Sequence, residues 1–161
     1  MRDLVNFIYN LYHEDDDFRE KVERYHKDTK STLILTVYDE EKARQEVAKF
    51  VDIIHDKVVV ELGAGIGLLA LEMSKYARYV IAIEKDPAWS WVFVKNYLYR
   101  KPRNLLFVFG DAEEFVKLLN IKADVVVIYT RSAIEYFIVL ALCFSPRKII
   151  LNGKIIEVKE G

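Results

Sequence analysis

The fold of this chain is decided by the stretch Lys57-Val-Val-Val-Glu-Leu-Gly-Ala-Gly-Ile-Gly67. Its apolar run predicts a buried strand that ends near Glu61, and the alternating glycines predict a loop that leads into a helix. Glycine lacks a Cβ, so it adopts positive φ easily and lets a ligand lie against the backbone. The first turn of the following helix would direct unpaired N–H groups at a negative group. The stretch therefore predicts a cofactor site with a loop suited to a carboxylate or a phosphate.

The spacing of the glycines separates two classes of cofactor. A dinucleotide loop has the pattern G-x-G-x-x-G, whereas Gly63, Gly65 and Gly67 form G-x-G-x-G and Leu68 takes the place of the third dinucleotide glycine. This spacing disfavours a nicotinamide cofactor. Glu61 also disfavours one, because its charge would repel a pyrophosphate.

Two further apolar runs end in acidic residues. Tyr79–Pro87 contains Glu84 at the end of a predicted strand, and Leu105–Ala112 contains Asp111. A carboxylate at such a strand end can accept hydrogen bonds from both hydroxyls of a ribose. Acids in these places also begin helices, since Asp86 precedes a proline and Asp111 stands three residues before a glutamate. Asp111 can cap a helix and still lie at a ligand, whereas Glu84, which precedes the cap at Asp86, favours the ribose role.

These three motifs resemble the class I S-adenosylmethionine-dependent methyltransferases over about residues 57 to 151. The resemblance implies S-adenosylmethionine as cofactor and S-adenosylhomocysteine as product. It places Glu61 near the methionine ammonium and Asp111 beside the adenine; the alternative for Glu61 is that it only bonds backbone groups at its strand end. The cofactor-binding residues that it implies are Glu61, Gly63, Ala64, Gly65, Gly67, Glu84, Lys85, Asp111 and Ala112.

The residues after the predicted fourth strand are the candidates for orienting the methyl acceptor. They are Tyr129, Thr130 and Arg131, followed by Ser132. The amino-group methyltransferases of the resembled family carry Asn or Asp, two prolines and an aromatic residue here, and this chain has none of them. Ser132 and Glu135 also form a capping-box pattern, which explains that pair equally well as a helix start.

Alternating strands and helices predict a doubly wound, mostly parallel α/β sheet of the Rossmann-like type. We expect an N-terminal helical extension over residues 1–55 and an S-adenosylmethionine-binding domain over 56–161. Asn152-Gly153 is a hairpin signal, so the sixth strand should run antiparallel. The predicted elements are Lys57–Leu62, Gly67–Tyr76, Tyr79–Ile83, Pro87–Tyr99, Leu105–Phe109, Ala112–Leu119, Asp124–Ile128, Ala133–Cys143, Lys148–Leu151 and Lys154–Lys159.

The region before the core has a weaker pattern. Apolar residues at helical spacing predict two short helices on either side of the acidic run Glu14–Asp17. A short strand is expected over Leu33–Tyr38, and Asp39 should open a helix with one apolar face that extends to Ile54.

The composition of the chain limits the kinds of partner, metal site and cellular location that we expect. The 161 residues carry 24 Lys and Arg against 25 Asp and Glu, so a net charge of −1 gives no global attraction to nucleic acid. We expect no metal site, because the three histidines lack a second ligand at suitable spacing. The single cysteine, Cys143, lies in an apolar segment and should be buried. With no leader sequence and no apolar run long enough for a membrane, a cytoplasmic protein is expected.

Two helices carry more apolar surface than one core contact needs. In the first, Trp89, Phe93 and Tyr97 form a stripe that should face the core, while a second face must meet the N-terminal segment, another subunit or solvent. The helix over Ala133–Cys143 is apolar nearly all round, which indicates a homodimer contact or a larger partner.

The sequence therefore predicts an S-adenosylmethionine-dependent methyltransferase whose acceptor, a protein, an RNA or a small molecule, is unidentified. A cofactor-binding but inactive partner subunit of a methyltransferase complex is the first alternative. An NAD-dependent oxidoreductase is the second, and it would require the missing third glycine.

Overall fold

A computed structural model describes residues 13–29 and 36–160 of the chain. The first predicted short helix and most of the predicted strand at 33–38 lie outside these residues, and residues 36–38 are not in a strand. The helices are α1 (Asp16–Thr29), α2 (Glu40–Ala48), α3 (Val51–Ile54), α4 (Leu68–Met73), α5 (Pro87–Arg100), α6 (Ala112–Leu118) and α7 (Ile134–Leu142). The strands are β1 (Val58–Leu62), β2 (Tyr79–Glu84), β3 (Leu105–Phe109), β4 (Val125–Ile128), β5 (Lys148–Leu151) and β6 (Lys154–Glu157).

The six strands form one sheet in the order β3-β2-β1-β4-β5-β6. The first five are parallel, and β6 returns antiparallel to β5 through the turn at Asn152 and Gly153. The predicted doubly wound, mostly parallel sheet with an antiparallel last strand is thus confirmed. The strand order reverses between β1 and β4, and ligands of open parallel sheets bind beyond the carboxyl ends of the strands at such a point.

The core has one layer on each face of the sheet. On one face, buried residues of α2, α4 and α5 such as Val47, Met73 and Phe93 pack on the central strands. On the other face, Phe115 of α6 and Leu140 of α7 pack on the same strands. Residues before position 55 thus share the first core layer, while the division of the chain at residues 55 and 56 stays a prediction.

Helix starts follow local sequence closely. Asp39, Asp86 and Asp111 are the N-caps of α2, α5 and α6, and their carboxylates accept backbone N–H bonds from the first turns. The predicted single helix from Asp39 to Ile54 is wrong, because Phe50 leaves helical geometry with φ −136° and ψ 17° and separates α2 from α3.

Two expectations about apolar helices meet different outcomes. Trp89 and Phe93 are buried and Tyr97 is half-buried, as the core stripe of α5 predicts. Cys143, however, is exposed, because α7 packs on the sheet through Leu140 and Ala141 and the turn that holds Cys143 leaves its thiol on the outer side. Among the described residues, no helix is long and apolar enough to cross a membrane.

Candidate cofactor site

The carboxyl ends of β1, β2 and β3 bring the predicted ligand residues to one edge. Glu61 and Ala82 are register partners in β1 and β2, and Glu84 is paired with Phe109 in β3. The Gly110 amide donates to the Glu84 carbonyl (2.9 Å), which holds the next loop beside the same edge. We call this region the cofactor edge; it consists of Glu61, Gly63–Gly67, Glu84 and Asp111.

The glycine loop is folded back against β2. The amides of Gly63 and Ala64 both donate to the Ile83 carbonyl at 3.0 Å. Gly63, Gly65 and Gly67 all have positive φ, at 71°, 57° and 82°, a region that residues with a Cβ rarely adopt. The alternating glycines are therefore required by the backbone itself.

The outer two glycines face different surroundings. A Cβ on Gly67 would lie 2.6 Å from the ring of Phe93, so this glycine lets the loop pack against α5. A Cβ on the exposed Gly63 would meet only the ring of Phe137 at 3.7 Å, an ordinary contact. Gly67 is therefore needed for packing, whereas Gly63 leaves room above the loop.

Glu84 connects the glycine loop to the start of α5. Its Oε1 accepts from the Gly65 amide (2.8 Å) and its Oε2 from the Asp86 amide (2.9 Å). Burial raises the pKa of Glu84, while these two backbone bonds act in the opposite direction. Each carboxylate oxygen has a second acceptor site, so Glu84 can still receive hydroxyl groups.

Glu61 is a buried acidic residue with an unsatisfied oxygen. It is only 3% exposed, and its Oε2 is buried without a hydrogen-bond partner. Burial raises the pKa of Glu61 well above its usual value, and the nearby charge of Glu84 raises it further. The alternative that Glu61 serves only to bond backbone groups does not account for this oxygen. A cation placed beside Oε2 would remove the cost of burying it alone.

The adenine end predicted from the sequence is more open. Asp111 is exposed and its Oδ1 accepts from the Glu113 amide at 2.8 Å, which is its helix-capping role. Lys85 and Ala112 are half-buried. Asp111 thus keeps a second carboxylate oxygen toward solvent.

The residues 129–132 that follow β4, here the strand-four loop, are fastened to two other elements. The Tyr129 hydroxyl donates to Glu46 Oε2 of α2 at 2.7 Å. Burial and then the bond to Glu46 raise the pKa of Tyr129, so its hydroxyl retains its proton. Burial alone would raise the pKa of Glu46, but hydrogen bonds from Lys49, Tyr129 and Lys42 lower it to about 2.

Asn152 fastens the strand-four loop from the other side. Its Oδ1 accepts from the Thr130 amide and its Nδ2 donates to the Thr130 carbonyl, each at 2.9 Å. Its own amide donates to the Ile128 carbonyl at 2.8 Å. Asn152 adopts φ 50°, a left-handed conformation that asparagine tolerates better than most residues. One side chain thereby sets the backbone at Thr130.

The capping box expected at Ser132 and Glu135 is wrong. Helix α7 begins after Ala133, which has φ 55° and provides no side-chain cap. The Thr130 hydroxyl instead donates to the Ser132 carbonyl at 2.7 Å and accepts from its amide at 3.3 Å. Arg131 between them is exposed. Within residues 13–29 and 36–160 no group of His, Cys, Asp and Glu side chains is arranged to hold a metal ion.

Comparison with known proteins now fixes the family. The TRM5/TYW2 methyltransferase domain matches residues 18–152, from the first turn of α1 to the β5–β6 turn. The chain belongs to this family. The resemblance to class I S-adenosylmethionine-dependent methyltransferases is therefore confirmed, and the TRM5/TYW2 match extends it back to the helices before β1.

Individual relatives of this TRM5/TYW2 chain carry related names. A probable ribosomal RNA small subunit methyltransferase A from Methanothermobacter thermautotrophicus is 36% identical over 94 residues, 58% of this chain and 33% of that protein. An uncharacterized RNA methyltransferase from Staphylococcus aureus is 29% identical over 115 residues, 68% of this chain and 25% of that protein. The chain thus spans a third or less of the length of these curated relatives.

The fold of the TRM5/TYW2 chain also matches solved structures. M. jannaschii TYW2, in complex with AdoMet, is 22% identical, with a TM-score of 0.57 over 77% of this chain and 55% of that one. At this identity the likeness is one of fold. In the chain described here, the first five strands and their helices form the sheet covered on both faces that the sequence predicts.

Sequence reasoning missed two residues that shape the strand-four loop of this TRM5/TYW2 chain. Asn152 was visible only as half of a hairpin signal, and Glu46 only as a polar position in a helix. Glu46 is nevertheless 4% exposed, and it lies 83 positions before its partner Tyr129. The neighbouring sequence predicts neither the Glu46–Tyr129 bond nor the Asn152–Thr130 bonds. An asparagine expected at a left-handed turn position is, however, a reason to look for side-chain hydrogen bonds there.

Proposed function

We propose that this chain binds S-adenosylmethionine at the cofactor edge and transfers its methyl group to an RNA acceptor. The observation that carries the proposal is the buried Glu61 Oε2 without a partner, since the cofactor bears both an ammonium and a sulfonium. Membership of a methyltransferase family supports the reaction type, and the names of the curated relatives support RNA as the acceptor class.

The residues of the cofactor edge fit the parts of this cofactor. Glu61 would lie opposite its positive charges, and Glu84 would accept from its ribose hydroxyls while holding the Gly65 amide. Asp111 and the Ala112 amide would bind the adenine. The rest of the cradle would be formed by Gly63, Ala64, Gly67 and Lys85.

Bound S-adenosylmethionine supplies an electrophilic methyl group on a positively charged sulfur. The chain has to hold the acceptor in line with that group and to keep a compensating negative charge nearby. We assign the second task to Glu61 and the first to the strand-four loop, in which the exposed Arg131 would contact the acceptor and Thr130 would fix the backbone that positions it. Tyr129 orients the acceptor indirectly, because its hydroxyl is committed to Glu46 and holds its proton. It therefore acts as a donor rather than as a base.

The N-terminal part of the chain completes the proposed site. We assign residues 1–55 to an extension that covers the domain formed by residues 56–161. Glu46 of α2 supports this assignment, because it bonds the strand-four loop across 83 positions of sequence.

Calorimetry tests cofactor binding directly. We expect S-adenosylmethionine and S-adenosylhomocysteine to bind with micromolar affinity, about 8 kcal/mol, since a nucleoside and an amino acid end are both held. NADH serves as the control and should give no heat. A folded protein without heat or thermal shift for either methionine compound would contradict the proposal.

Methyl transfer is tested separately with methyl-labelled cofactor over RNA, protein and small-molecule extracts. Label in the RNA fraction is the expected result. Cofactor binding without transfer to any fraction, but with transfer in the presence of a co-purifying methyltransferase, would identify the chain as a partner subunit instead.

A further inference from the structure

The segment from residue 87 to residue 109, which contains α5 and β3, has an unusual charge. It holds no aspartate or glutamate, although the chain has 25 of them. Its basic residues are Lys95, Arg100, Lys101 and Arg103. Arg100 forms an ion pair with Glu40, and the other three basic residues are exposed. The segment itself therefore contributes only positive charge, three of its four basic side chains being exposed, in a chain whose net charge is −1.

Large aromatic side chains are exposed on the same segment. Trp91 is 57% exposed and Tyr99 is 83% exposed, whereas Phe93 between them is fully buried. Trp91, Lys95 and Tyr99 are spaced four residues apart and so lie along one side of α5. Lys95 Nζ lies 3.6 Å from the centre of the Trp91 ring. The tryptophan is nevertheless more than half exposed. The side of α5 thus alternates aromatic rings with positive charge.

The segment also leads to the cofactor edge. Phe107 stacks on Phe93 of α5 with ring centres 4.3 Å apart, so alternate residues of β3 face this helix. Phe109 is two residues further on the same side and is 59% exposed. Asp111 of the cofactor edge follows it after one glycine.

We propose that single-stranded RNA binds along this surface, which we call the basic aromatic face and define as Trp91, Lys95, Tyr99, Lys101 and Arg103. Aromatic rings stack on bases of any sequence, while lysine and arginine contact the phosphates; single-strand binding proteins combine these two features. The choice of RNA over DNA rests on the proposed function. The face begins in the first turns of α5, near the cofactor edge, and runs to Lys101 and Arg103 just before the amino end of β3. A bound strand would therefore extend along α5 toward the reaction site, without touching the residues that hold the cofactor.

The outer face of α7 provides a contrast. Ile134, Val139 and Leu142 are each more than 40% exposed there, but the helix has no basic residue and carries Glu135. It offers apolar area without positive charge, so it lacks the complementarity to a polyanion that distinguishes the basic aromatic face.

The test uses the full chain and a fluorescein-labelled oligoadenylate, with fluorescence anisotropy measured over a range of salt concentrations. Trp91→Ala and Tyr99→Ala should each weaken binding by about tenfold, as the loss of one stacked base does. Trp91→Phe keeps a ring and should restore most of the affinity. Val139→Ala on α7 removes exposed apolar surface elsewhere and should have no effect.

Charge is tested with the double variant Lys101→Ala, Arg103→Ala. The slope of log K against log salt should fall in magnitude by about 1.4, because each phosphate contact on a single strand contributes about 0.7. The matched control is Lys122→Ala, an exposed lysine between α6 and β4, which should leave the slope unchanged. Polyphosphate should compete weakly, since it has charge but no bases.

Two outcomes would overturn the proposal: no binding of oligoadenylate at low salt, or binding that is equal in wild type and the aromatic variants. If the chain self-associates and Trp91→Ala makes it monomeric without any RNA binding, the face is a protein interface.

Cofactor affinity is measured on the same variants and should not change. RNA binding without cofactor binding would contradict the proposed function alone, and the reverse would contradict the basic aromatic face alone.

Discussion

The cofactor edge and the strand-four loop lie at the same end of the sheet but are built in different ways. At the cofactor edge, Glu84 bonds backbone amides near it in the fold and Glu61 has an oxygen without a partner. In the strand-four loop, Tyr129 and Thr130 have their polar atoms bonded to Glu46, Asn152 and Ser132. The first region therefore has bonding capacity left for a ligand, whereas the second uses its capacity to fix its own shape.

The largest expected effect separates packing from binding within the glycine loop. Gly67→Ala should lower the free energy of unfolding by about 3 kcal/mol, because the new Cβ collides with Phe93 and needs a left-handed backbone. Denaturant unfolding measures it. Gly110→Ala is the matched control and should be near neutral, since a Cβ there meets no atom within 4 Å.

Gly65→Ala completes that comparison. It also forces a left-handed backbone, at a cost of about 1 to 2 kcal/mol, and it lies where the loop should touch the cofactor. Cofactor affinity in the folded fraction should fall more than stability does. If Gly65→Ala lowers the melting temperature but leaves cofactor affinity unchanged, the loop is a structural turn and does not belong to the proposed site.

Glu84→Ala should weaken cofactor binding by about 2 to 3 kcal/mol through the loss of charge-assisted bonds. It also leaves the amides of Gly65 and Asp86 without acceptors, so stability should fall by about 1 to 3 kcal/mol. Calorimetry at a temperature where the variant is folded separates the two. Glu84→Gln keeps one of the two acceptor oxygens without the charge, so it should lose less of both than Glu84→Ala does. Unchanged affinity in Glu84→Ala would assign the ribose to another residue.

In the strand-four loop, Asn152→Ala should show the opposite balance. Two hydrogen bonds to Thr130 are lost, at about 1 kcal/mol of stability each. Cofactor affinity should be unchanged, while methyl-label transfer should fall because the acceptor-orienting residues shift. Asn120→Ala, at an exposed asparagine, is the control. If affinity falls together with transfer, the two regions are not independent and the comparison fails.

The smallest effect is a pH dependence of cofactor affinity, which only the cofactor edge should have. The raised pKa of Glu61 means that the fold holds its proton more tightly than the unfolded chain does. Its contribution to stability is therefore fully present below the unfolded pKa and is lost as the pH rises through the raised pKa. A bound cation favours the ionised form, so cofactor affinity should increase with pH by at most about tenfold per unit for one proton.

Calorimetry in buffers of different ionisation enthalpy should detect the proton released by Glu61 on binding. Glu61→Gln should abolish this release and weaken binding, while the folded chain keeps its stability because Glu61 is already held in its neutral form in the free protein. Proton release that persists in Glu61→Gln would assign it to Glu84 instead, whose pKa is also raised by burial.

The contrast between the regions also explains what the sequence could predict. The helix starts at Asp86 and Asp111 were predictable because the capping bonds reach only two or three residues ahead. The glycine spacing was informative because it reflects the local backbone conformation. The same local rules give the six strands and their directions. For Glu61 and Glu84, position at the end of an apolar run was enough to predict that they meet at one edge.

Contacts between distant segments were not predictable in the same way. The bond between Tyr129 and Glu46 and the bonds between Thr130 and Asn152 depend on how α2 and the β5–β6 turn meet the sheet. The apolar surroundings of Cys143 in the sequence say nothing about which side of α7 faces the core. The Ser132 and Glu135 pattern fits a capping box. The Ser132 amide, which Glu135 would have to bond, donates instead to the Thr130 hydroxyl.

The chain's two tryptophans give it a pair of optical reporters. Trp89 is 4% exposed and packs against Ile66 of the glycine loop, while Trp91 lies on the solvent side of the same helix. Trp89 should therefore emit at shorter wavelengths than Trp91, and its buried indole nitrogen has no hydrogen-bond partner to shift that emission. A quencher dissolved in the solvent would reach Trp91 first. Events beneath the loop and events on the outer side of α5 would then appear as separate components of one fluorescence spectrum.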